Sequence, residues 1–89
     1  MAWTLEITKN ARVGLEKAGT VEARRILRFL YERVRMLPNP RELGKALSGD
    51  TFAGLWRYRV GAYRVLCEIQ DEKITILVVH VGHRREVYK

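Results

Sequence analysis

Most of the side chains that could do chemistry fall in two places. Arg57, Arg59 and Arg64 lie mid-chain, and His83, Arg84, Arg85, Tyr88 and Lys89 lie at the end. Guanidinium groups grip phosphate through paired N–H donors, and arginine and tyrosine planes stack on unpaired bases. The inventory suits a phosphodiester strand. The sequence holds no catalytic carboxylate pair, no Ser-His-Asp spacing, no glycine-rich phosphate loop and no metal quartet. One cysteine and two histidines would need unusual carboxylate help to form a structural zinc site. Glu68 and Glu86 are isolated, and Glu86 reads as a solvated ion-pair partner. His83 is open enough to shuttle a proton, whereas His80 reads as a neutral core histidine.

The overall charge agrees with such a ligand. The 89 residues carry 17 Lys and Arg against 10 Asp and Glu, a formal net charge of +7. A small basic domain attracts polyanions, nucleic acid or an acidic protein partner. The basic residues are spread along the chain rather than gathered in a tail. The length suits one domain, residues 1–89. The longest apolar run, Ile74 to Val81, falls short of the roughly 18 residues a membrane helix needs. Glu6 near the start and the lack of a basic-then-apolar pattern argue against a secretion signal. A lone Cys67 fits a reducing cytoplasm.

The elements that must position these residues can be read from periodicity. Trp3, Leu5 and Ile7 alternate with Thr4 and Glu6, predicting a strand. Thr8 caps a helix over Lys9–Ala18, and Gly19 ends it. Thr20 is expected to cap a second helix, whose stripe is Ala23, Ile26, Leu27, Leu30, Val34 and Leu37. Pro38 and Pro40 stop it. A loop or single helical turn over Arg41–Asp50 leads to three strands: Phe52 to Val60, Tyr63 to Ile69 and Lys73 to Val81, joined by Gly61-Ala62 and Asp71-Glu72. The fold class is α+β in the order β-α-α-β-β-β. Its sheet is four-stranded and mainly antiparallel, with both helices on one face.

A two-residue turn at Gly61-Ala62 pairs Val60 with Tyr63, Tyr58 with Val65, Trp56 with Cys67, Arg59 with Arg64 and Arg57 with Leu66. Cross-strand partners share a face. One face is then core, and the other carries the arginines. Like charges placed opposite each other destabilise a sheet, so an Arg59–Arg64 pair makes sense on a face built to hold an anion. A two-residue Asp71-Glu72 turn would pair Ile69 with Ile74, Cys67 with Ile76, Val65 with Val78 and Tyr63 with His80. That register puts His80 on the core side and Thr75, Leu77, Val79 and Val81 on the arginine face. Leu55, Leu66, Leu77 and Val79 make this second face partly apolar, which suggests a protein partner.

The stretch Leu55-Trp56-Arg57-Tyr58-Arg59-Val60-Gly61-Ala62-Tyr63-Arg64-Val65, with Val81-Gly82-His83-Arg84-Arg85-Glu86-Val87-Tyr88, resembles the RelE toxins of the RelE/ParE superfamily of type II toxin–antitoxin systems. The resemblance implies an endoribonuclease that uses no metal or cofactor and cuts mRNA in the ribosomal A site. The ribose 2′-hydroxyl attacks its own phosphate, leaving a cyclic phosphate and a 5′-hydroxyl. Matched by motif, Arg59, Arg64, Arg84 and Tyr88 are the catalytic candidates. Arg64 and Arg84 would hold the phosphate, Tyr88 would stack or transfer a proton, and Arg59 would activate the nucleophile. Arg57, His83, Arg85 and Lys89 would bind RNA. Relatives often carry lysine where Arg57 and Arg59 stand. Arginine stays protonated up to pH ~12, so no general base is assigned. Ala62 stands where many relatives have Asp, and Cys67 where an aromatic is common. The implied partners are the ribosome, mRNA and a RelB-like antitoxin, in a hetero-oligomer without a membrane. The antitoxin would cover Leu55, Leu66, Leu77 and Val79. The alternatives are a ParE-like toxin that inhibits DNA gyrase, or a catalytically degenerate antitoxin-binding module.

Overall fold

The fold was analysed in a computed structural model, which describes residues 2–47 and 53–83. Strand β1 is Thr4–Ile7. Thr8 then caps helix α1, Lys9–Ala18, its side chain accepting from the Ala11 N–H at 3.1 Å. Gly19 turns the chain at φ 91, a conformation L side chains rarely adopt, and ends α1. Gly19 itself also occupies the cap position of α2, Thr20–Phe29, so Thr20 is the first helical residue rather than the cap. A π-helical turn, Leu30–Val34, extends α2. Ile26, Leu30 and Val34, spaced four apart, are all fully buried, as their periodicity predicts.

The connector after the helices is pinned to the sheet. Asn39 and Glu42 close a capping box around a 3₁₀ turn, Pro40–Glu42. The Tyr58 hydroxyl donates to the Pro40 carbonyl at 2.7 Å, and the Trp56 indole to the Leu43 carbonyl at 2.7 Å. Burial pushes the Tyr58 phenol up from its ordinary value. Tyr58→Phe would leave a buried carbonyl without its donor, at a cost of about 1–2 kcal/mol, read from the urea midpoint. Arg41 forks onto both Asp71 carboxylate oxygens at 2.9 Å. That guanidinium holds the Asp71 carboxyl below the usual range. The pair's stability is therefore present above the ordinary carboxylate value of about 4 and lost as pH falls through the lower folded-state value. Asp71→Asn should be the less stable chain at neutral pH and should match the parent at the acid end of the same titration.

The connector also forms strand β2, Lys45–Ala46, which sequence patterning misses. Strands β3 (Trp56–Val60), β4 (Tyr63–Gln70) and β5 (Thr75–His83) complete a five-stranded mixed sheet, order β1-β5-β4-β3-β2, in place of the expected four strands. β1 and β5 run parallel, and the other neighbours are antiparallel. Both helices lie on one face. The core joins Ala11, Leu15, Ile26, Leu30 and Val34 to Tyr58, Val60, Val65, Cys67, Ile76, Val78 and Val81. Cys67 is part of it, and burial raises its thiol pKa. Among the described residues, no helix is long and apolar enough to cross a membrane.

The β3–β4 register is the expected one: Val60 opposite Tyr63, Arg59 opposite Arg64, Arg57 opposite Leu66. The β4–β5 register is not. The connection is a three-residue 3₁₀ turn, Asp71–Lys73, followed by Ile74 at φ 49, so Ile69 pairs with Ile76 and Cys67 with Val78. A shift of two residues keeps every side chain on its face. A further slip of one then follows: Leu66 pairs with His80, Val65 with Val81 and Tyr63 with His83. That second slip exchanges faces, so Val81 enters the core and His80 leaves the core side where the sequence placed it.

Candidate functional site

The face turned away from the helices is built in rows by the strand register. One row runs Gly82, Arg64, Arg59, and the next His80, Leu66, Arg57, Lys45. Farther along come Glu6, Leu77, Glu68 and then Thr4, Thr75, Gln70. One end of the face is therefore basic and the other acidic. Neighbouring strands lie about 4.8 Å apart, so the second row spreads its groups over about 14 Å. Beside β3, a hollow of about 380 Å³ adds Arg33 to Lys45, Arg57 and Arg59 around its wall. Cationic groups gathered in this way at one end of a sheet are a source of attraction for phosphate.

The expected residues fall as follows. Arg57, Arg59 and Arg64 share this face, with Arg59 directly opposite Arg64. His83 does not join them. The slip of one residue puts it opposite Tyr63 on the helix side, ring centroids 5.6 Å apart in an edge-to-face contact. Arg84, Arg85, Tyr88 and Lys89 lie outside the described residues. Leu66 is on the predicted face but only 1% exposed, so it offers a partner no apolar surface. Leu55 and Leu77 are half-buried, Leu77 between Glu6 and Glu68. Val79 is half-buried at the slip, and its carbonyl accepts from Thr8 Oγ1 and Asn10 Nδ2. Sequence reasoning missed Lys45, Arg33 and His80. Lys45 reaches the row only because a two-residue strand pairs with β3, and its flanking sequence carries no strand alternation.

A larger hollow lies elsewhere, a groove of about 800 Å³ between α1 and α2. Leu15, Ala23, Leu27 and Tyr31 line it, and charged Arg12, Arg24, Arg28, Glu16 and Glu32 ring it. It is mainly apolar and gathers no reactive group, so size does not mark the chemistry here. Among the described residues, no three His, Cys, Asp or Glu side chains come together to hold a metal ion.

Residues 5–88 match the family model of the ParE toxin of type II toxin–antitoxin systems. The chain belongs to the RelE/ParE superfamily of toxins. Toxin RelG of Mycobacterium tuberculosis is 30% identical over 89 residues, covering 100% of this chain and 99% of the relative. The toxin–antitoxin complex RelBE2 of the same organism contains a chain 29% identical, with TM-score 0.83, covering 97% of this toxin and 95% of that chain. The archaeal RelE–RelB complex of Pyrococcus horikoshii contains one 25% identical, with TM-score 0.70, covering 98% of this toxin and 100% of that chain. The toxin thus shares its helices-on-one-face sheet with RelE proteins, while its sequence matches a model named for ParE.

Proposed function

We propose that the toxin is a ribosome-dependent mRNA endonuclease, acting in the cytoplasm on the A-site codon and neutralised by a cognate RelB-like antitoxin. The observation that carries this reading is the Arg59–Arg64 pair set opposite each other on the sheet face away from the helices, with Arg57 and Lys45 in the adjoining row. In the proposed reaction the 2′-oxygen attacks the phosphorus, its proton leaves to a base, and the bond to the 5′-oxygen breaks as that oxygen takes up a proton. The products are a 2′,3′-cyclic phosphate and a 5′-hydroxyl. Negative charge builds on the non-bridging oxygens, and guanidinium groups fixed by the sheet stabilise it without reorganising. Arg64 and Arg59 serve the scissile phosphate and Arg57 the neighbouring backbone. By their motif positions, Arg84 would add to the phosphate clamp, Tyr88 would stack or pass a proton, and Arg85 and Lys89 would hold the strand. The RelBE2 and RelE–RelB structures are toxin–antitoxin complexes, which supports an antitoxin partner here, in contact with Leu55, Leu77 and Val79.

Inhibition of DNA gyrase is the second reading, favoured by the match to the ParE model. Expressing the chain alone in a bacterial host, with primer extension on an abundant mRNA, separates the two. In-frame cuts that vanish when translation is blocked support the endonuclease. Growth arrest with intact mRNA supports the gyrase reading, and normal growth a catalytically degenerate antitoxin-binding module.

A further inference from the structure

Strand β5 holds one residue too many for its partner. Cys67 stands opposite Val78 and Leu66 opposite His80, so Val79 is a bulge. In an unbroken ladder Leu66 would meet Val79, and His80 would meet Val65 on the helix side. The bulge instead gives Val81 the place opposite Val65, where it is buried, and brings His80 round into the row of Leu66 and Arg57. Arg64 lies two residues along β4 from Leu66, a diagonal of about 7–8 Å from His80.

The helix α1 then fixes the ring. Asn10 places its Nδ2 3.1 Å from the Val79 carbonyl and 3.0 Å from His80 Nδ1. A carbonyl only accepts, so the Val79 contact settles which end of the amide faces the ring. Nδ2 spends its second hydrogen on Nδ1, which must accept it. The ring proton is therefore on Nε2, the nitrogen on the side away from Asn10.

We propose that His80 is a neutral hydrogen-bond donor of the phosphate site, its Nε2–H bonding a non-bridging phosphate oxygen of the RNA strand that Arg64 and Arg57 hold. The inference rests on the reading of this face as the RNA-cutting surface. Nε2 already carries its proton and Nδ1 is engaged, so His80 is not the general base. A neutral donor also adds an N–H without adding to the repulsion among Arg57, Arg59 and Arg64. Asn10 is a positioning residue, acting through the ring.

Three variants test this, each checked for parental melting. His80→Leu removes the donor and should raise KM for cleavage of ribosome-bound mRNA about tenfold or more, with kcat changed less. His80→Gln supplies an amide N–H near the Nε2 position, cannot serve as a base, and should recover most of that loss. Asn10→Asp turns the donor beside Nδ1 into an acceptor and should move the ring proton to Nδ1. Imidazole ¹⁵N shifts should show the Nε2–H form in the parent and its loss in Asn10→Asp. If the parent cuts mRNA and His80→Leu cuts equally well, or if His80→Gln is as impaired as His80→Leu, the donor role is overturned and the endonuclease reading stands. An Nδ1–H ring in the parent overturns it as well. A parent that cuts no mRNA overturns the RNA assignment of the whole face, His80 included.

Discussion

Arg64→Ala should slow mRNA cleavage about 100-fold or more, the loss expected when one preorganised donor to a developing oxyanion is removed. Arg64 sits on the central strand β4, with Arg59 opposite on one side and Gly82 on the other, so the arginine that faces it projects from a separate strand and keeps its own position. Arg64→Lys keeps the charge and loses the planar fork, so it should retain only part of the activity, about a tenth. Arg28→Ala removes the same unit of charge from the exposed side of α2, where Arg28 pairs with Glu32 at 3.3 Å, and should leave cleavage unchanged. The three rates, measured as mRNA cut per unit of folded toxin, separate a positioned guanidinium from general attraction to RNA. Equal losses in Arg64→Ala and Arg28→Ala would show that only net charge matters.

Gly14→Ala should destabilise the fold by about 2 kcal/mol, or about 10 °C in melting temperature. Helix propensity alone argues the other way, since alanine in a helix interior is worth about 1 kcal/mol over glycine. Space decides the sign. A Cβ at Gly14 would lie 2.0 Å from the Val81 carbonyl oxygen and 2.9 Å from its carbon, and backbone cannot rotate aside. Helix α1 is pressed onto β5 beside the bulge, so pushing it away would also disturb the Asn10–His80 contact. A Gly14→Ala chain as stable as its parent would mean that α1 rides farther from β5 than described.

The β3–β4 register was legible to the residue, although β3 begins at Trp56 rather than Phe52. A glycine-led two-residue turn with alternating side chains on both arms leaves one register that buries Tyr58, Val60, Val65 and Cys67 and spares three arginines. The helices were legible because Ile26, Leu30 and Val34 repeat at four. The β4–β5 pairing was not. Its turn closes through Ile74 in the left-handed region, which β-branched residues rarely adopt, so no turn signature marks it. Nor does a run as uniformly apolar as Ile76 to Val79 reveal where an extra residue is absorbed, because either register buries similar side chains. This is why His80 and His83 lie on the opposite faces from those the sequence suggested. β2 escaped notice because two residues have no period, and with it went Lys45.

The most direct test of the account is to add the purified toxin to ribosomes programmed with a defined mRNA and an empty A site, and to map the RNA ends. The expected result is one cut within the A-site codon, a 2′,3′-cyclic phosphate upstream and a 5′-hydroxyl downstream, and no cut in the same mRNA without ribosomes. Intact mRNA on the ribosome, together with loss of supercoiling by gyrase on addition of the toxin, would contradict it.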